Sequence, residues 1–150
     1  MQHFLKDNPI TYIGGDIVQL LIEAHSKHYQ NATTRFIHID LTKQDFPAAD
    51  LMLCRDCLFH LSYADTKAVL QHFVASDIAY LLTTTHSNRS GFANHDIRTG
   101  SFRLIDLFAA PYHFPKDVLY RIEDWLAPDP KREMCLWSRE QVIAVLANWR

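Results

Sequence analysis

Apolar and polar positions along this chain fall into blocks whose spacing switches between strand-like runs and helix-like periodicity. Residues 11–16, Thr-Tyr-Ile-Gly-Gly-Asp, form a short β-prone run closed by two glycines and a carboxylate. Val18, Leu21, Ile22, His25 and Tyr29 then recur at helical spacing. The polar stretch Asn31-Ala32-Thr33-Thr34 breaks that helix. A second strand over residues 35–39 runs into Asp40, and a third over residues 50–54 follows the loop around Pro47. Ser62 is placed to cap a helix over residues 63–73 with Ala64, Ala68, Leu70 and Phe73 on its apolar face, and residues 78–84 read as a fourth strand. Continuous apolar strands alternating with helices predict an α/β fold, a mostly parallel Rossmann-like sheet with helices on both faces.

Beyond Thr85 the pattern changes. Residues 87–100 are a long polar loop, followed by Pro111-Tyr112-His113-Phe114-Pro115. Loops of this length inside a compact domain are lids, binding segments or mobile excursions, and the aromatics between Phe102 and Trp125 are expected in the core. Two strands over residues 119–125 and 132–137, joined at Pro128-Asp129-Pro130, form a C-terminal antiparallel hairpin. Ser138 caps a last helix over residues 139–148 with Val142, Ile143, Val145 and Leu146 available for burial.

Composition narrows the possibilities. At 150 residues and 48% hydrophobic the chain has the size of a single domain over residues 1–150. Fifteen Lys and Arg against 17 Asp and Glu leave no strong nucleic-acid signal. No apolar run approaches a membrane span, the first seven residues lack a signal-peptide pattern, and three cysteines suit a reducing compartment. The expected location is therefore cytoplasmic.

Candidate chemistry lies where strands end. In open α/β sheets ligands bind beyond the carboxyl ends of the strands, and Asp16, Asp40 and the Arg55-Asp56 pair end three successive strands here. One such acid can accept the two hydroxyls of a ribose and another the exocyclic amine of adenine, so the pattern suits an adenosine-containing ligand. As ordinary alternatives, Asp16 and Asp40 could cap helices and Arg55 could pair with Asp56 at the surface. Cys54-Arg55-Asp56-Cys57 has redox or zinc half-site spacing, but Cys54 lies within an apolar strand and no second Cys-x-x-Cys exists. Of nine histidines, including His25, His28, His86 and His95, His60 is the best candidate for a general base, with packing or capping as its alternative.

The runs Tyr12-Ile13-Gly14-Gly15-Asp16-Ile17, Phe36-Ile37-His38-Ile39-Asp40-Leu41 and the stretch from Asp50 to Leu61 together resemble consecutive motifs of class I S-adenosylmethionine (SAM) methyltransferases. The resemblance implies SAM as cofactor, with Asp16 and Ile17 on the ribose, Asp40 and the Leu41 backbone on adenine, and Arg55 and Asp56 near the sulfonium. His60 is the candidate catalytic base, and the acceptor, small molecule or protein, is unidentified. The family's first strand and glycine-rich loop are missing, since only residues 1–10 precede the ribose strand, and Met1 to Leu5 look like the helix that follows that loop. A truncated chain is expected to bind SAM weakly or not at all. It could instead be a non-catalytic remnant that acts as an interaction module or pairs its open strand edges in a homodimer.

Overall fold

A computed structural model describes residues 10–149, so the helix-like reading of Met1 to Leu5 lies outside the described residues. The chain divides into two compact units, Met1–Gln44 and Asp45–Arg150.

The first unit is one strand–helix–strand turn. β1 (Tyr12–Asp16) leads into α1 (Gln19–Tyr29) and returns as β2 (Thr34–His38), parallel to β1 with Tyr12 beside Thr34 and Asp16 beside His38. The alternation of β1 is interrupted by Gly14 and Gly15 for a packing reason. A Cβ on Gly14 would lie 2.7 Å from the Phe36 ring, and one on Gly15 would lie 2.8 Å from the Ile39 Cγ2 methyl. α1 buries Ile22 only; Leu20 is 76% exposed and Leu21 is also exposed, so the helix covers less apolar surface than its spacing suggests.

The second unit holds β3 (Leu51–Cys54), the 3₁₀ turn Leu58–His60, α2 (Tyr63–Ala75), β4 (Tyr80–His86), β5 (Tyr120–Glu123), β6 (Arg132–Ser138) and α3 (Arg139–Asn148). Its sheet has the order β3-β4-β6-β5; β3 is parallel to β4, while β6 runs antiparallel to both β4 and β5. Both expected caps form. Ser62 Oγ accepts from the Asp65 amide, and Ser138 makes a reciprocal capping box with Gln141. The buried stripe of α2 is Thr66, Val69, Leu70 and Phe73, which corrects the expected face, because Ala64 is exposed and Ala68 half-buried. On α3, Val142 and Val145 are buried and Ile143 is exposed. The core gathers these side chains with Leu81, Ile105, Leu107, Tyr112, Phe114 and Trp137.

The strands thus form an α/β fold with two parallel β-α-β turns and a closing antiparallel hairpin. A doubly wound sheet places its first strand centrally, next to the second and fourth. Each unit by itself keeps a parallel neighbour pair of that kind, β1-β2 in the first and β3-β4 in the second, and among the described residues β1 and β3 each pair on one side only.

Candidate functional site

In the first unit, Asp16 and Asp40 stand at the carboxyl ends of adjacent parallel strands, and the ladder extends past β2 because the Ile39 amide donates to the Asp16 carbonyl at 2.9 Å. Asp16 is not an N-cap. Val18 caps α1 and has no side-chain cap bond, while Asp16 Oδ1 accepts the Val18 amide at 2.8 Å. Ile17 is 60% exposed, and its carbonyl accepts from His38 Nε2 at 2.9 Å.

Asp40 is more heavily committed. Oδ1 accepts the Thr42 amide at 3.0 Å and its hydroxyl at 2.7 Å, and Oδ2 takes the Lys43 ammonium at 2.7 Å. The Lys43 hydrogen bond first, then the two from Thr42, hold this carboxyl down at about 2. Its backbone carbonyl starts the turn through Leu41 by accepting from the Lys43 and Gln44 amides, and its amide donates to Gln44 Oε1 at 2.7 Å.

In the second unit, the segment after β3 is tied to the hairpin. Arg55 makes a fork with Asp124 at 2.7 and 3.0 Å and also lies 4.0 Å from Asp56, so the surface ion pair offered as its ordinary alternative is present but secondary to the longer-range one. Asp56 adopts φ 52, its amide donates to Thr84 Oγ1 at 2.9 Å, and its carboxylate meets Arg132 Nε at 3.2 Å. Left-handed backbone in a non-glycine residue is uncommon, and here these contacts hold it. Cys54 is buried, and its hydrogen bond with Cys57 and its burial push its thiol well up, away from nucleophilic thiolate. No group of three metal-ligating side chains that could hold an ion occurs among the described residues.

His60 ends the 3₁₀ turn, half-buried. Its Nδ1 lies 2.8 Å from the Ser101 carbonyl, and its ring is 4.5 Å from that of Phe59 and 6.0 Å from that of Phe102. The long loop is not a free excursion. Asp96 Oδ1 accepts the Tyr63 amide at 2.7 Å at the start of α2, Thr99 Oγ1 accepts the Ser62 amide at 2.9 Å and donates to Asp65, and Asn94 bridges Asp106 and Ala110. His86, one of the histidines named from the sequence, is buried on β4; burial lowers its pKa, and its Nδ1 accepts the Ile105 amide at 3.2 Å.

Sequence reasoning missed Arg103, Thr84, Asp124 and Arg132. Arg103 is fully buried, with its guanidinium 4.9 Å from the Tyr63 ring centre and 2.6 Å from the Tyr112 hydroxyl. An arginine between Phe102 and Leu104-Ile105 was the one available signal, because a charge inside an apolar run needs a partner if buried.

The strand–helix–strand turns and the closing hairpin are arranged as in the fold found in SAM-dependent methyltransferases. Solved structures agree. The PH0226 protein of Pyrococcus horikoshii OT3 is 15% identical with a TM-score of 0.59, covering 91% of this chain and 75% of that one. Magnesium protoporphyrin IX methyltransferase of Synechocystis PCC 6803, solved with bound S-adenosylhomocysteine (SAH), is 13% identical at 0.55, covering 85% of this chain and 63% of its own. A SAM-dependent methyltransferase of Methanosarcina mazei is 10% identical at 0.57, covering 84% and 80%. The chain thus spans less than two thirds of the Synechocystis enzyme. No family model and no curated protein matches the sequence.

Proposed function

We propose that this chain is the core of a SAM-dependent methyltransferase, with Asp16 and Asp40 of the first unit as its adenosine-side residues. The observation that carries the reading is the pair Asp16 and Asp40 at the carboxyl ends of neighbouring parallel strands. Asp16 suits a ribose diol, since only Oδ1 is engaged by a backbone amide among the described residues. Asp40 stays ionised far below neutral pH and keeps acceptor capacity on Oδ2 beside Lys43, as an adenine amine requires. Ile17 and the Leu41 backbone follow these acids and would flank the nucleoside.

Bound SAM would supply an electrophilic methyl for in-line displacement. The protein's own work is alignment and proton removal. Arg55 and Asp56, held by Asp124 and Arg132, fix the course of the chain after β3, and His60 would take the acceptor's proton. No glycine loop for the methionine half exists among the described residues, so affinity should be weak. Titration calorimetry with SAH should give a dissociation constant above about 100 μM, corresponding to less than about 5.5 kcal/mol. Asp16→Asn should abolish the signal. Absence of saturable binding up to millimolar SAH, or equal heats from the variant, would reject the cofactor assignment.

One observation favours a second reading, a module that pairs through its strand edge. β3 is wholly apolar, and Leu51 and Leu53 are 46% and 37% exposed on it, whereas the opposite edge strand β5 carries Arg121 and Glu123. Charged residues guard an edge against pairing, and β3 has none. Sedimentation equilibrium distinguishes the readings: a dimer dissociated by Leu53→Lys supports edge pairing, and a monomer at all concentrations removes it.

A further inference from the structure

The candidate base is held by a strap of backbone, residues 99–103, that runs along the turn bearing it. We propose that this strap clamps His60 in the tautomer with hydrogen on Nδ1, leaving Nε2 as a standing acceptor, and that Arg103 is the positioning residue that anchors the strap. The proposal rests on the reading of His60 as the acceptor-side base and deepens it.

A carbonyl oxygen can only accept. With Nδ1 2.8 Å from the Ser101 carbonyl, Nδ1 must carry the hydrogen, and in the neutral ring Nε2 holds the lone pair. A neutral imidazole in water prefers its hydrogen on Nε2, so the strap reverses the ordinary preference. His86 supplies the contrast within the same unit. Its Nδ1 accepts the Ile105 amide, which places its hydrogen on Nε2 in the neutral ring, and it is buried. One histidine is thus presented as a half-exposed base and the other is locked into packing.

The strap is held to the turn by backbone bonds on both sides of Ser101. The Gly100 amide donates to the His60 carbonyl at 2.8 Å and the Arg103 amide to the Phe59 carbonyl at 3.2 Å. The near end is pinned by Thr99, between the Ser62 amide and the Asp65 carboxylate. The far end is pinned by the Arg103 side chain. Nη2 donates to the Tyr112 hydroxyl at 2.6 Å, Nη1 to the His95 carbonyl at 3.2 Å, and the guanidinium sits 4.9 Å from the Tyr63 ring centre with Asp96 at 3.8 Å. Burial pushes the Tyr112 phenol up, so it stays protonated and offers its oxygen lone pair to the arginine. A fully buried guanidinium whose nearest carboxylate is half-exposed is costly to maintain, and an apolar side chain would fill the same core at lower cost. What the arginine supplies is a fixed end point for the strap, directly beyond the Ser101 carbonyl.

Long-range nitrogen–proton correlation on the ¹⁵N-labelled 150-residue protein at pH 8 reads both histidines at once. The expected spectrum shows His60 protonated on Nδ1 and His86 on Nε2. Thr99→Val and Arg103→Lys should each shift the His60 tautomer ratio toward Nε2–H by about fivefold, the change expected for one net hydrogen bond, while His86 stays as it was. A merely structural strap would change stability and leave the ratio untouched. His60 found with hydrogen on Nε2 in the parent protein, or unmoved in both variants, overturns the proposal. If Arg103→Lys disturbs the His86 signals and so the fold, Thr99→Val decides alone. The tautomer is read without cofactor, so failure of SAH binding would sink the methyltransferase reading and leave this result standing.

Discussion

Gly15→Ala tests whether the first unit is packed as tightly as its geometry implies. The new methyl would start 2.8 Å from Ile39 Cγ2, and Ile39 is 6% exposed. Cγ2 sits on the β-carbon of a branched side chain, so it cannot swing aside as a long flexible end would. Overpacking of this kind costs about 1–3 kcal/mol. Against it, replacing glycine by alanine narrows the unfolded ensemble and returns about 0.4–1 kcal/mol, since Gly15 has no left-handed φ to forbid the change. The net destabilisation is about 1–2 kcal/mol, a factor of about 5–30 in the opening equilibrium. Native-state hydrogen exchange measures it locally. The Ile39 amide, bonded to the Asp16 carbonyl, and the β1–β2 ladder amides should exchange faster by that factor, while β4 and β6 amides are unchanged. Slower or unchanged exchange at Ile39 would refute the packing argument. In that event the glycines of β1 would need another explanation, such as close approach of a ligand.

Three further outcomes are expected. Ser62→Ala removes the α2 cap and should lower stability by about 1 kcal/mol in thermal or denaturant unfolding; loss of less than a few tenths would mean that Asp96 caps this helix end by itself. Lys43 and Thr42 hold the Asp40 carboxyl at about 2 in the folded protein, below the ordinary aspartate value of 3.8, so its contribution is complete above pH 3.8 and lost as pH falls through 2. Carboxyl NMR should locate that midpoint, and Lys43→Met should raise it. His86 is depressed below 6.5 by burial, so it destabilises the fold as pH falls from 6.5 toward its lower folded value. His86→Gln should flatten that part of the stability profile, and an unchanged profile would show that His86 does not set it.

Much of the fold was legible from pattern alone. Strand ends at Asp16 and Cys54, the Ser62 and Ser138 caps, and the Pro128 hairpin all follow from local rules of side-chain periodicity and backbone hydrogen bonding. The long loop was legible only as a loop, because its partners lie far along the chain and carry no periodicity. The fate of α1 shows the same limit: its spacing announces an apolar face, yet only Ile22 is buried among the described residues.

What the sequence determined by itself is the order of elements and the placing of Asp16 at the end of β1, Asp40 just after β2 and His60 in the turn that follows β3, since these depend on residues close in the chain. Tertiary structure alone decided which charges are committed to one another. It sent Arg55 to Asp124 and Asp56 to Arg132, buried Arg103 against Tyr63 and Tyr112, and turned His60 and His86 into opposite tautomers. Those outcomes depend on which donors and acceptors meet across the fold, and a hydrogen bond between residues forty or more positions apart, such as that of His60 with Ser101, leaves no trace in local spacing.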